Sequence, residues 1–372
     1  MITTSYPDEV PGTEAAGSFV EDFAIELSKS TAVTVLAASR EASVSNGNNL
    51  TVRRFAVPRL PLSLLKPYKP SDCPAVLATL RAGRKALRDL IDDERPDHVL
   101  ALWTLPSGWW ADVEARRRGV PFSTWALGSD IWSLGRIPLI RRKLAGVLRN
   151  ARYRYADGLG LCADVERICG MPCTFLPSAR RLEATRATSV GNQAPYKLAF
   201  LGRWHPNKGT DLLMHALQAL EDEDWDRIEE VRIFGGGPLA TEIQAAVNQL
   251  AAAQRPVAIG GYLDKDAAAA LIGWADFLLL PSRIESIPVI FSDAMQLGTP
   301  VVATPVGDLP RLHARYEFGV LSRAAGIDSF ADAIRQATRQ DATGFAPGVQ
   351  RACADFDLAT IAAQFLADIG AE

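Results

Sequence analysis

Two successive runs of short apolar segments, each separated from the next by an amphipathic stretch, constrain this chain more than any other feature. The first run has segments at residues 2–5, 33–36, 98–102, 121–126, 158–161 and 175–177; the second has them at 198–201, 231–234, 257–259, 277–280 and 301–303. Between segments, apolar residues recur every three to four positions, as Phe19, Val20, Phe23, Ala24 and Leu27 do, the period of a helix with one buried face. Apolar segments alternating with helices predict parallel sheets covered by helices. The predicted fold class is α/β, with two doubly wound parallel-sheet, Rossmann-like domains whose ligands bind beyond the carboxyl ends of the strands. A length of 372 residues fits two or three domains. Residues 178–195 are polar and lack periodicity. The predicted division is therefore a domain over 1–180, a linker over 181–195, a second domain over 196–352, and a final helical segment over 353–372 that packs back on the first domain. Met1 falls within the first strand, so either that strand is short or the chain starts upstream.

Charge separates the two halves. The net charge is −3, but residues 1–190 hold 26 Lys and Arg against 20 Asp and Glu, whereas the rest hold 14 against 23. The basic half could face an anionic acceptor or a lipid surface, though solvated basic helices are the commoner explanation. The same two readings apply to the stretch from Arg141, Arg142 and Lys143 through Arg149, Arg152 and Arg154, where Leu144, Val147 and Leu148 intervene at helical spacing. No apolar run approaches the roughly 20 residues of a membrane span, and no basic-then-apolar leader opens the sequence. The chain therefore reads as cytoplasmic, with peripheral contact on the inner face of a membrane left open. Five cysteines, at 73, 162, 169, 173 and 353, form no paired framework, and the reading is reduced core cysteines rather than metal ligands.

The stretch PSRIESIPVIFSDAMQLGTPVVATP, residues 281–305, sets Glu285 and Asp293 eight residues apart around a predicted helix start. A buried strand at 277–280 delivers the chain to a loop, Pro288 suits a first helical turn, and Gly298 with Pro300 ends the helix. A helix start favours an anionic ligand such as a phosphate. The plainer alternative makes Glu285 a cap and Asp293 a surface charge. In the loop GRWHPNKG, Arg203 and Lys208 lie five residues apart before another helix, a pattern suited to gripping a diphosphate. Gly235, Gly236 and Gly237 follow a strand, where backbone can approach a ligand closely or simply turn.

The ordered series GRWHPNKGTDLL, IFGGGPL, GYLDKDAAAAL and PSRIESIPVIFSDAMQLGTPVVAT resembles the nucleotide-sugar domain of the group 1, or family 4, retaining glycosyltransferases of GT-B fold. It matches over residues 196–325, with looser agreement earlier through SYPDEVPGTEAAGSFVEDFA and LGSD. The resemblance implies GT-B architecture, with the two Rossmann-like domains facing a cleft, residues 1–180 on the acceptor side and 196–352 binding the donor. It implies that Arg203 and Lys208 hold the donor diphosphate and that Glu285 acts near the reacting centre. Gly17, Gly202, Gly235, Gly236, Ser286 and Ile287 would line the donor site, and Asp293, one methylene shorter than the usual glutamate, would reach the ribose hydroxyls. Leu127 stands where many relatives have histidine, so only Asp130 carries over on the acceptor side. Asp308 likewise replaces a common glycine.

The expected function is transfer of a hexose-type sugar, with retention and without a metal, from a nucleotide-diphosphate sugar to an acceptor hydroxyl on a glycan or lipid-linked acceptor, in cell-surface polysaccharide or glycolipid synthesis. No cofactor and no nucleic-acid partner are expected. A nucleotide-sugar epimerase of the same fold and a non-catalytic nucleotide-sugar binder are the alternatives. The D-x-D within Asp222–Asp226 reads as a solvated charge cluster at a helix end, His98, His215 and His313 lack metal-ligand spacing, and His205 reads as structural.

Overall fold

The computed structural model describes residues 1–7, 17–60, 62, 65, 69–186 and 189–370. Most of the first glycine-containing loop, residues 8–16, lies outside them. The chain divides into two compact units, one made of Met1–Pro177 with Leu358–Glu372 and the other of Ser178–Asp357.

The first unit is built on β1 (Ile2–Thr3), β2 (Val33–Ser39), β3 (Ser43–Asn46), β4 (Leu50–Ala56), β5 (Val99–Leu102), β6 (Phe122–Ala126), β7 (Tyr153–Ala156) and β8 (Thr174–Phe175). They form one sheet in the order β3-β4-β2-β1-β5-β6-β7-β8. Every pair is parallel except β3–β4. Strands β5 and β6 are buried along their whole length, as a sheet with helices on both faces requires.

Two departures from the sequence reading have plain causes. Strands β3 and β4 were not anticipated because β3 is fully exposed and polar and β4 carries Arg53 and Arg54, so neither shows a buried strand's apolar run. Residues 158–161, expected as a strand, begin the helix Leu159–Cys169, and the strand is β7 instead. Strand β7 takes Arg154 out of the expected basic helix, which ends at Asn150. Arg154 is buried and donates to the carbonyls of Pro172 (2.8 Å), Leu148 (3.0 Å) and Ala151 (2.5 Å), so its charge is satisfied inside the protein rather than offered to a surface.

The second unit contains β9 (Tyr196–Arg203), β10 (Ile228–Gly236), β11 (Val257–Gly260), β12 (Phe277–Leu280), β13 (Val301–Ala303) and β14 (Gly319–Leu321). Its order is β11-β10-β9-β12-β13-β14, all parallel. The chain runs outward from β9 to one edge, then returns to β12 and runs to the other. The loops leaving β9 and β12 therefore diverge at their carboxyl ends, the topological switch point where open α/β sheets bind ligands. Residues 181–195, read as a linker, belong to this unit. Arg186 there donates to Thr299 Oγ1 (2.9 Å) and to the carbonyl of Ala275 (2.8 Å). The D-x-D run is not simply solvated either: Asp224 is buried and pairs with Arg335 (2.7 Å) and Arg339 (3.1 Å).

The last helix, Leu358–Gly370, belongs to the first unit. Phe365 meets the rings of Phe23 (5.8 Å) and Tyr155 (5.6 Å), and the Tyr155 hydroxyl donates to Asp368 (2.9 Å). Phe365 is 3% exposed. Phe365→Ala should therefore destabilise the first unit by about 3–5 kcal/mol, the range for emptying a buried phenylalanine site. Urea unfolding followed by a probe in that unit checks this.

Candidate functional site

The site is built where β9 and β12 end. From β9 the chain enters a 3-10 turn, Pro206–Lys208, and then Gly209, whose φ of 69° starts the helix Thr210–Gln218. A Cβ at Gly209 would collide with the carbonyl oxygen of Pro281, so the two loops touch backbone to backbone and only glycine fits. From β12 the chain runs through Pro281–Pro288 into the helix Val289–Gln296.

Polar contacts lock these loops together. The Arg283 guanidinium donates two parallel bonds to the Asp211 carboxylate (both 2.7 Å) and a further one to the carbonyl of Pro206 (2.8 Å). The Arg283 backbone N–H donates to the carbonyl of Asn207 (2.8 Å). Burial raises the Asp211 pKa, but the hydrogen bonds and charge of Arg283 outweigh it, and the carboxyl titrates below its ordinary value. The clamp therefore holds above the carboxylate range and weakens as pH falls through the lowered pKa of Asp211. Beside it, the Lys208 ammonium pairs directly with the Glu285 carboxylate.

Of the residues singled out from the sequence, Arg203, Lys208 and Glu285 all fall on these two loops. Arg203 is the last residue of β9 and its side chain is exposed. Lys208 is about one-third exposed and Glu285 15% exposed, so the pair lies at a boundary between protein and solvent. Ser286 is buried and its hydroxyl has no partner among the described residues, while Ile287 packs inward at 5% exposure. The carbonyl of Ser286 accepts from Asp308 N (3.2 Å). Gly307, with φ 56°, passes so close that a Cβ would collide with the carbonyls of Glu285 and Ser286. Asp308, in place of the commoner glycine, is buried and paired with Arg311 (3.0 Å).

The glycine run, read as a close backbone approach to a donor or a plain turn, is tightly packed among the strand ends. Gly235 and Gly236 are the last residues of β10, in register with Gly202 and Arg203. A Cβ on Gly235 would collide with the carbonyl of Gly202, and one on Gly236 with the ring of Tyr262. These glycines serve close packing among strand ends first.

Asp293 departs most from expectation. It is 0% exposed, and one edge of the Arg180 guanidinium holds both its oxygens, with Nε 3.3 Å from Oδ1 and Nη2 on Oδ2. The Arg180 carbonyl also accepts from Gln296 Nε2 (2.8 Å). A carboxylate so enclosed does not present itself to ribose hydroxyls. The physical reason is its helix, where Phe291 to Met295 are all buried, so an acid at position 293 is drawn inside and needs a cation.

In the first unit, Gly17 has φ 86° and precedes the helix Ser18–Ser28 after β1; a Cβ there would lie 2.5 Å from the carbonyl of Ser5. Asp130, expected on the acceptor side, is 2% exposed. It accepts from the backbone N–H of Thr104 (2.6 Å) and of Leu127 (3.3 Å), so it braces the loops after β5 and β6 instead of facing a ligand. Burial pushes its carboxyl up in pKa, against the pull of those N–H groups.

Sequence reasoning missed Arg283, Asp211, Arg180, Trp204 and Tyr262. Trp204 is buried, its indole N–H without a partner among the described residues, and Tyr262 is exposed with its hydroxyl on the carbonyl of Gly236 (2.7 Å). The available signal was position: Trp204 directly follows a strand end, and Arg283 lies between a strand and Glu285. No group of three or more His, Cys, Asp or Glu that could hold a metal occurs among the described residues. All five cysteines are free.

If the Arg283–Asp211 clamp holds the loops, Arg283→Ala should speed amide exchange at residues 283 and 284 by about tenfold, the effect of roughly 1.4 kcal/mol for a solvent-screened, charge-assisted pair. Strand β10 should keep its protection. Hydrogen exchange read residue by residue checks both.

Comparison with known proteins bears on the fold. A D-inositol 3-phosphate glycosyltransferase of Corynebacterium aurimucosum is 32% identical over 171 residues, which is 45% of this chain and 41% of that protein. The chain thus matches less than half the length of that relative. Among solved structures, Anabaena HepE in complex with UDP superposes with a TM-score of 0.70 at 18% identity, covering 100% of this chain and 99% of that one. Sucrose-phosphate synthase from Thermosynechococcus elongatus gives 0.69 at 17% identity, covering 93% and 90%. At such identities the likeness speaks for the fold. Residues 195–340, which carry both loops of the site, match the family model for glycosyl transferases group 1, and the chain as a whole has the two-unit parallel α/β fold of the GT-B glycosyltransferases.

Proposed function

We propose that this protein is a retaining glycosyltransferase of family 4 that moves a sugar from a nucleotide-diphosphate sugar to an acceptor hydroxyl. The observation that carries the reading is the Lys208–Glu285 pair, which joins the loops after β9 and β12 at the switch point of the second unit, with exposed Arg203 at the end of β9. Two cations there match the charge of a diphosphate. On binding, Lys208 exchanges the Glu285 carboxylate for a phosphate oxygen, and Glu285 becomes free to act beside the sugar. As the bond between the sugar and the diphosphate breaks, Arg203 and Lys208 neutralise the charge gathering on the departing nucleotide. The same two cations can supply the charge that a divalent metal supplies elsewhere, which supports metal-independent transfer.

Retention follows from attack on the face that the leaving group vacates. The acceptor hydroxyl bonds to the anomeric carbon while the departing diphosphate oxygen takes its proton. Asp293 is paired with Arg180, so a second carboxylate poised for double displacement finds no support. The relative from Corynebacterium and the UDP complex of HepE support a nucleotide sugar as donor. Cell-surface glycan or glycolipid synthesis is the proposed setting. No helix of the described residues is long and apolar enough to cross a membrane, so an acceptor in the membrane would be met from its surface.

Arg203→Ala and Lys208→Ala should weaken donor use severely, and Glu285→Gln should lower turnover by about 10²-fold, the scale of losing one electrostatic stabiliser. Steady-state transfer assays over a panel of nucleotide sugars check this. Near-normal transfer by all three variants would defeat the assignment. Product formed without any acceptor would indicate an epimerase, and donor binding with neither transfer nor slow hydrolysis a non-catalytic binder.

A further inference from the structure

The first unit carries a cavity of about 710 Å³ whose lining residues are all charged. Six of them are cations: Arg81, Arg84, Lys85, Arg88, Arg117 and Arg118. The first four stand at i, i+3, i+4 and i+7 on one face of the helix Cys73–Glu94, and Arg117 ends the helix Trp109–Arg117. Only a short turn separates the end of each helix from the strand that follows it, β5 or β6. The cavity therefore lies toward the amino ends of these strands, away from the carboxyl ends where an open α/β sheet receives its ligands.

The positive charge here is not compensated. Two acids, Asp92 and Glu114, complete the lining. Glu114 pairs with Arg84 and with Arg118 (2.9 Å), and Asp92 accepts from Arg118 Nη2 (2.9 Å). Both acids are thus taken. Arg81, Lys85 and Arg117 are exposed and enter no ion pair among the described residues. Arg88 pairs with its chain neighbour Asp89 (2.8 Å), each side chain about half exposed, a contact worth little against solvent. Like charges at i and i+4 destabilise a helix, and they occur here twice, as Arg81 with Lys85 and Arg84 with Arg88. The sequence concentrates charge on this face instead of balancing it, and the second helix adds to it. Guanidinium groups lining one concavity from two helices offer the forked donors that phosphate oxygens accept. The walls give no apolar or aromatic surface to an acyl chain or a base, so the ligand that fits carries its charge compactly.

We propose that this cavity binds a compact oligophosphate, an anion with several negative charges on adjacent phosphates. It is a site of the first unit, whereas the donor loops belong to the second, and the proposal does not depend on the transferase reading.

Calorimetric titration of the full chain with inorganic tripolyphosphate, beside orthophosphate at equal ionic strength, tests this. Saturable binding is expected, tighter for tripolyphosphate by about tenfold or more because several phosphates are held together. It should weaken by about tenfold between about 50 and about 300 mM salt, as the charges are screened. The triple change Arg81→Gln, Lys85→Gln, Arg117→Gln removes only exposed charges outside any ion pair, and should weaken tripolyphosphate by about tenfold or more. Tripolyphosphate also suits the donor loops, so the titration is repeated with Arg203→Ala, Lys208→Ala, where the cavity should keep its affinity within about twofold. Equal affinity in the triple variant, loss of binding in the double variant instead, or tripolyphosphate bound no more tightly than orthophosphate would each overturn the proposal. Capture by phosphatidylglycerol vesicles that the triple variant loses, without binding of free tripolyphosphate, would overturn it too and make this face a lipid-headgroup surface.

Discussion

Everything at the candidate site depends on two loops that leave adjacent strands in opposite senses and are then tied back to each other. Strands β9 and β12 are neighbours in space although 73 residues separate the end of one from the start of the next. Their loops would diverge without the Arg283–Asp211 clamp and the backbone contact at Gly209. Once joined, they bring Lys208 and Glu285 into contact, while exposed Arg203 ends β9 five residues before Lys208. On the proposed reading, the pair keeps both charges satisfied until the donor diphosphate arrives. A partly exposed pair contributes little to stability, so that exchange would cost little.

Burial sorts the acidic residues by role more sharply than spacing does. Glu285 at 15% exposure and Asp293 at 0% are eight residues apart, and only the first is near solvent. Asp293 ties the start of the second unit, through Arg180, to the helix that follows the Glu285 loop. Asp130 does comparable work in the first unit by gathering two backbone N–H groups. Both acids act on loops through what they hold.

The sequence disclosed most where physics is local. Buried strands such as Phe277–Leu280 announce themselves as short apolar runs, and cations in a loop between strand and helix mark Arg203 and Lys208. It disclosed least where partners are distant. Arg283 meets Asp211 across 72 positions and Arg180 meets Asp293 across 113, and no periodicity encodes such pairings. Strand β3 was illegible because it is polar and exposed, and β7 because its Arg154 is buried against carbonyls rather than solvated. The fate of Asp293 had one available signal: the helix VIFSDAMQ is apolar on nearly every side, and an acid in such a helix is buried and paired.

The most direct test of the account is a crystal structure of the protein with a bound nucleoside diphosphate. The account predicts the diphosphate at the carboxyl ends of β9 and β12, contacted by Arg203 and by a Lys208 that has left Glu285. A nucleotide bound elsewhere, or a Lys208–Glu285 pair left intact with no phosphate against it, would contradict it.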